Sequence, residues 1–132
     1  MNQTITITMI LAGVLLIWVY LKNSGAANKL RIDPADAKKR LELEKGIILL
    51  DVRTKEEYLE NHIPKSTLIP LLVLAKEAGK RLPDQQATIF VYCRSGNRSR
   101  AAVRMLVKQG YTNVFNLGGI NRWPYKTVSG KK

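Results

Sequence analysis

The chain has 132 residues and a formal net charge of +12, from 22 Lys and Arg against 10 Asp and Glu. That length accommodates one domain with little left over, and the charge favours anionic partners such as acidic membrane leaflets, nucleic acid or small anions. The lone cysteine, Cys93, excludes an internal disulfide framework and any multi-thiolate metal site, and the lone histidine, His62, argues equally against a histidine-based metal site.

The first segment, Ile5 to Leu21, carries no charge, and its only polar groups are Thr6, Thr8 and the Tyr20 hydroxyl. With Gln3 and Thr4 it approaches the ~20 residues that a helix needs to cross a bilayer. Threonine hydroxyls can bond back to the preceding turn, so lipid tolerates them. Trp18 and Tyr20 lie at one end, where aromatic rings prefer the interface, and Lys22 can snorkel to the headgroups. Basic residues follow the span (Lys22, Lys29, Arg31, Lys38, Lys39, Arg40) and none precedes it. The positive-inside rule then predicts an outside N-terminus and a cytoplasmic domain, its basic stretch against an anionic leaflet. The competing reading is a cleaved signal peptide, with Ser24-Gly25-Ala26 as a small-residue site and an exported, periplasmic domain. Against it, Met1 to Thr4 has no positive charge and the apolar core exceeds the usual ~7–15 residues. A buried core helix would need a polar face to meet solvent, which this segment lacks.

The expected organisation is a transmembrane helix over 1–22, a small polar linker over 23–29, a domain over 30–126 and a loose polar tail over 127–132. Lys29 to Ile32 reads as a short edge strand. Asp33 caps a helix with Pro34 at its first position, expected to run to about Lys45 and stop at Gly46. Ile47 to Val52 is a continuous apolar run typical of a strand buried on both faces. Thr54 to Glu57 has capping-box spacing and opens a short helix. Thr67 to Pro70 fits a short strand, Leu71 to about Lys80 a helix, and Pro83-Asp84 a turn. Ile89 to Tyr92 is the next buried strand. Ser99 to Gln109 is a helix ended by Gly110, Asn113 to Leu117 a last strand, Gly118-Gly119 a turn and Ile120 to Trp123 a short helix. Strands alternating with helices predict an α/β fold: a mostly parallel sheet flanked by helices, with its ligand site beyond the carboxyl ends of the strands.

Cys93 stands at one of those ends, heading Cys93-Arg94-Ser95-Gly96-Asn97-Arg98-Ser99-Arg100. A strand-to-helix loop can aim successive backbone N–H groups at one point, and with the positive end of the next helix they form an anion cradle. Such settings lower a cysteine pKa from ~8.5 to ~3.5–7.5. Arg94, Arg98 and Arg100 add positive charge, Gly96 permits unusual backbone angles, and Ser95 and Ser99 offer hydroxyls. A cradle for a thiolate also holds a persulfide anion, so the loop suits ping-pong sulfur transfer. A buried cysteine ending a core strand is the plain alternative, and the charged, glycine-containing loop argues against it.

Several pieces in order resemble the rhodanese homology domain of the single-domain sulfurtransferase type, over about Ile32 to Trp123. They are Leu50-Asp51-Val52-Arg53 with Glu57-Tyr58, His62-Ile63-Pro64 with Ile69-Pro70, the loop from Cys93 to Ser99, and Asn113 to Ile120 with Trp123. The resemblance implies a rhodanese-like parallel sheet. It implies a catalytic Cys93 that carries the persulfide, with Arg94, Ser95, Gly96, Asn97, Arg98 and Ser99 binding substrate and persulfide. It implies thiosulfate or another sulfane-sulfur donor, and cyanide, a thiol or a protein cysteine as acceptor. No metal or organic cofactor is implied. The same intact loop also permits a persulfide carrier that turns over small donors poorly. Cell-cycle-type dual-specificity phosphatases and related arsenate reductases share the fold, but their loops place five residues between Cys and Arg. Here Arg98 follows after only four, position 99 is serine, and Tyr92 stands where those enzymes have histidine. The pair Lys65-Ser66 departs from the small pair usual after His-Ile-Pro, at a surface turn.

His62 is expected to hold a turn, Asp51 and Arg53 to form an internal ion pair or cap, and Trp123 to anchor the core. Lys38-Lys39-Arg40 lacks the aromatic or glycine-rich pattern of a nucleic-acid site, so a solvated face or anionic-lipid contact is expected there instead.

Overall fold

The computed structural model describes residues 2–131, the side chains of 22–29 excepted. The chain divides into two compact units, Met1–Leu30 and Arg31–Lys132. The first unit holds helix α1, Gln3–Lys29. Its apolar part, Gln3–Leu21, has a mean hydropathy of 2.3 over 19 residues, about 28 Å of helix and enough for a bilayer core. By length and composition it suits a membrane anchor or a signal sequence. The Thr8 hydroxyl donates to the carbonyls of Thr4 (3.1 Å) and Ile5 (2.9 Å), and Thr6 to Asn2 (3.5 Å), which is the expected back-bonding. The expected linker and the candidate cleavage site fall in the last turns of this helix, where side chains lie outside the described residues.

The second unit is a four-stranded parallel sheet in the order β2-β1-β3-β4. Its strands are β1 (Ile48–Asp51), β2 (Thr67–Leu68), β3 (Thr88–Cys93) and β4 (Asn113–Gly119). Helices α2 (Pro34–Leu43), α3 (Lys55–Glu60), α4 (Leu71–Arg81) and α5 (Asn97–Lys108) connect or flank them, and a 3₁₀ turn, Ile120–Arg122, follows β4. Local signals explain the starts. Asp33 accepts from the Asp36 N–H, with Pro34 at the first helical position. Thr54 and Glu57 form a complete capping box. The central strand β3 is buried from Ile89 to Cys93, as its Val, Ile and aromatic content demands.

One face of the sheet packs Leu49, Phe90, Tyr92 and Leu117 against Ala37 of α2, with Ile120 and Trp123 at the margin. The other face, toward which Ile89 and Val91 alternate, is covered by α5 through Ala102, Val103 and Leu106 and by α4 through Leu74 and Ala78. Trp123 thus does anchor the core edge. Of the triplet Lys38-Lys39-Arg40, Lys38 pairs with Glu42 (2.9 Å) and Arg40 with Glu44 (2.6 Å), each one turn along α2.

Three expectations need correction. The Lys29–Ile32 edge strand reduces to an isolated parallel bridge between Arg31 and Asn116. Gly118-Gly119 is no turn: β4 continues through both, and its register slips by one residue, so that Val91 faces Asn116 and Tyr92 faces Gly118. This is a β-bulge, which re-aims the strand end. The tail is not loose throughout. Val128 and His62 exchange backbone bonds of 2.8 and 2.9 Å, and the Gly130 N–H donates to the Leu59 carbonyl at 2.9 Å.

Candidate active site

The sulfur of Cys93 lies at the carboxyl end of β3, under the first turn of α5, and the residue is 1% exposed. Gly96 caps α5 with φ 104°, a left-handed conformation that a side chain resists. This angle folds the loop back so that the Gly96 N–H donates to Cys93 Sγ at 3.0 Å. The backbone N–H groups of Ser95 and Ser99 also favour the anionic sulfur, and the Ser99 hydroxyl lies 3.5 Å from it. Burial alone would push the Cys93 thiol up. The Ser99 hydroxyl and the three amides outweigh that and hold it below the ordinary cysteine value. Ser99 is fully buried, and its hydroxyl donates to the Gly96 carbonyl at 3.0 Å.

The strand next door presses on the same loop. A Cβ on Gly119 would sit 2.3 Å from the Arg94 carbonyl oxygen and 2.7 Å from Ser95 Cα. No side chain fits there, so the bulge and the bare backbone of β4 set the position of the Cys93 loop. The Asn121 N–H donates to the Arg94 carbonyl at 3.3 Å and helps to hold it.

The arginines of the loop differ. Arg98 makes a two-pronged pair with Glu57 of α3, at 2.7 and 2.9 Å. That bond to Arg98 holds the Glu57 carboxyl at about 2, against a smaller opposing effect of burial, with help from Thr54. The charge of Arg98 is therefore shared with a carboxylate. Arg94 is exposed and walls a cleft of 390 Å³ together with Arg53, Glu57, Glu60, Asn61, Ile120 and Asn121. Ser95 and Asn97 are exposed on the outer side of the loop. The structure thus gathers Cys93, Gly96 and Ser99 about the sulfur, with the Ser95 amide, and sends the side chains of Arg94, Asn97 and Arg98 elsewhere. Sequence reasoning missed Gly119, Asn121 and Glu57 as parts of the site. Only Glu57 left a signal, since its capping-box position fixes where its carboxylate points.

Asp51 and Arg53 form the internal pair expected of them. Arg53 donates to Asp51 at 2.7, 3.0 and 3.1 Å through its guanidinium, and at 2.9 Å through its backbone N–H. It also donates to the Asn61 carbonyl at 2.7 Å. The two residues are 0% and 3% exposed. Burial works against the Arg53 charge, and the bonds to Asp51 override it. His62 is structural in geometry. Its Nδ1 lies 2.8 Å from the Tyr58 carbonyl, its ring stacks on Tyr58 at 3.7 Å, and its backbone pairs with Val128. Because a carbonyl only accepts, Nδ1 carries the proton. Among the described residues no cluster of His, Cys, Asp and Glu is placed to hold a metal ion.

The model of the "Rhodanese-like domain" family matches residues 33–125. Thiosulfate sulfurtransferase PspE of Escherichia coli K12 is 35% identical over 81 residues, covering 61% of this chain and 78% of that protein. Adenylyltransferase and sulfurtransferase UBA4 of Candida albicans is 33% identical over 103 residues, which span 73% of this chain but 24% of that larger protein. Among solved structures, a rhodanese with anions from E. coli superposes with a TM-score of 0.60 at 33% identity, covering 64% of this chain and 99% of that one. The match reaches from the cap of α2 through the Cys93 loop to Tyr125 beyond β4, and the chain belongs to the rhodanese-like domain family, alongside sulfurtransferases.

Proposed function

We propose that the chain is a membrane-anchored sulfurtransferase that moves sulfane sulfur from thiosulfate to cyanide or a thiol through a persulfide on Cys93. The observation that carries this reading is the Cys93 sulfur held 3.0 Å from the Gly96 N–H at the positive end of α5. In the first half-reaction the Cys93 thiolate attacks the outer sulfur of thiosulfate. The S–S bond of the donor breaks, sulfite leaves with the electron pair, and Cys93–S–S⁻ remains. The same amides that hold the thiolate then hold the persulfide anion. In the second half-reaction cyanide attacks the outer sulfur, and thiocyanate leaves with regeneration of the Cys93 thiolate; a thiolate acceptor R–S⁻ attacking the outer sulfur of Cys93–S–S⁻ likewise leaves as R–S–S⁻. Residues 94 to 99 supply the cradle, chiefly through backbone groups. The four-residue spacing from Cys93 to Arg98, with Arg98 engaged by Glu57, weighs against a phosphatase or arsenate reductase. A persulfide carrier with little turnover of small donors is the second reading. The same Cys93 loop serves it, because a carrier needs the thiolate and its cradle but no rapid turnover.

Steady-state thiocyanate production from thiosulfate and cyanide separates the two. An enzyme turns over continuously and Cys93→Ser abolishes it; a carrier loads once and then stalls. Thiocyanate formation unchanged in Cys93→Ser would overturn both readings. The apolar α1 and the basic residues after it support a single-pass anchor with the domain on the cytoplasmic side. Alkaline extraction and protease protection of membranes test this, and release of a shortened domain into the periplasm would favour the signal-peptide alternative.

A further inference from the structure

Charge is distributed unevenly along the chain. Eight of the ten acidic residues lie between Asp33 and Glu60, whereas from Gln85 to Lys132 there are nine Lys and Arg and no Asp or Glu. Helix α5 starts inside that second stretch, directly after the Cys93 loop. Its inner side is the buried set Ser99, Ala102, Val103 and Leu106. Its outer side presents Arg100, Arg104 and Lys108, spaced by four so that they form one row along the helix. All three are exposed, and none has an ion-pair partner among the described residues. The neighbouring α4, bonded to α5 through Gln109 and Ala75, adds exposed Lys76 and Lys80, and its only acid, Glu77, is engaged by Arg81. Helix α2 shows the opposite habit, pairing Lys38 and Arg40 with acids one turn away.

The first part of this row works against the helix that carries it, whereas Lys108 in the last turn suits the dipole. Like charges at i and i+4 repel, and Arg100 in the first turn opposes the positive end of the helix dipole. A row kept in spite of this, beginning at the reactive loop, suits the recognition of something negative that must come to that loop. The single cysteine supplies the reason. A persulfide on Cys93 has no second thiol in the chain to resolve it, so its sulfur must leave to an external acceptor. A membrane surface would satisfy the charge but offers no acceptor, and the row begins at the residue after Ser99, whose hydroxyl lies 3.5 Å from the sulfur.

We propose that Arg100, Arg104 and Lys108 form the docking surface for an acidic protein that brings the acceptor thiol to Cys93. The proposal rests on the sulfur-transfer reading above. The acceptor thiolate R–S⁻ attacks the outer sulfur of Cys93–S–S⁻. The S–S bond to Cys93 breaks, R–S–S⁻ forms, and Cys93 departs as thiolate, with no oxidant or reductant consumed.

The test uses the full chain in phosphatidylcholine nanodiscs, loaded with thiosulfate and desalted. Two single-cysteine probe peptides of equal length, one flanked by glutamates and one by lysines, serve as acceptors, and transfer is followed by mass. Each peptide is compared across protein variants, so its intrinsic reactivity cancels. Arg104→Glu/Lys108→Glu should slow transfer to the glutamate peptide about tenfold at low salt, with the gap closing as salt is raised. Its thiocyanate production from thiosulfate and cyanide should stay at the wild-type rate. Lys39→Glu/Lys45→Glu, which changes net charge equally but lies on and just after α2, should leave peptide transfer unaltered. Equal slowing by both double variants would assign the effect to overall charge and overturn the proposal. So would unchanged transfer in Arg104→Glu/Lys108→Glu, and in that case a loss of binding to phosphatidylglycerol vesicles would assign the row to lipid. Failure of Cys93 to load at all would instead remove the sulfur-transfer reading, and the docking proposal with it.

Discussion

Ser99 offers the sharpest test of how the loop lowers the Cys93 pKa. Its hydroxyl lies 3.5 Å from the sulfur and donates to the Gly96 carbonyl at 3.0 Å in the thiol state. On deprotonation it can turn toward the anion. A hydrogen bond to a charged group nets about 1.5–3 kcal/mol, and the length of this contact and the competing carbonyl place it at the lower end. At about 1.4 kcal/mol per pKa unit, Ser99→Ala should raise the Cys93 pKa by about one unit. Folding should suffer little, because the Gly96 carbonyl keeps the Arg100 N–H at 3.1 Å. The assay is the pH dependence of iodoacetamide alkylation. The wild type should titrate below the ordinary cysteine value, and the variant should titrate higher and react about tenfold more slowly at pH values below both midpoints. A variant that titrates with the wild type would refute the role given to the hydroxyl and leave the backbone amides alone in charge.

Other expectations follow from the same geometry. Gly119→Ala must push the Arg94–Ser95 backbone aside by about 1 Å, and displacements of that size cost about 100-fold in rate; persulfide loading should fall accordingly, while unaltered kinetics would show that β4 does not position the loop. Asp51→Asn leaves a buried guanidinium without its counter-charge and should cost about 3–5 kcal/mol in denaturant unfolding, whereas a loss under 1 kcal/mol would mean that Arg53 finds water. The Glu57 carboxyl sits at about 2, below its ordinary value. Its stabilising effect is therefore complete above the unfolded value near 4.5 and lost as pH falls through about 2. Because Glu57 and Arg98 are 27% and 34% exposed, screening reduces the pair to about 1 kcal/mol. Melting curves of wild type and Glu57→Gln should differ at neutral pH and converge toward pH 2; a constant gap would contradict the pairing.

Much of the fold and of the Cys93 loop is legible in the sequence. The apolar run Ile89 to Tyr92 followed by Cys93, Gly96 and a helical stretch marks a strand-loop-helix with the sulfur at its turn, and the structure has that arrangement. Asp33-Pro34 and Thr54 with Glu57 marked helix starts because caps are local chemistry, contained within four residues. Contacts distant in sequence left less trace. Arg98 finds Glu57 across 41 positions, so no local pattern shows that its charge is already committed. Gly118-Gly119 has the composition of a turn, yet Gly119 is glycine because a neighbouring loop leaves no room for a Cβ, and Gly118 because its φ of 95° is left-handed. The segment around Val128 is polar and reads as loose, but it is held by backbone groups, which every residue carries and which leave no signature in the side chains.

Whether Cys93 carries sulfur is read from the intact mass of the protein after incubation with thiosulfate. The expected change is a gain of one sulfur atom, located on Cys93 by peptide mapping, removed by cyanide and absent in Cys93→Ser. A protein of unchanged mass after thiosulfate and every other sulfane-sulfur donor tried, or a gain that persists in Cys93→Ser, would contradict it.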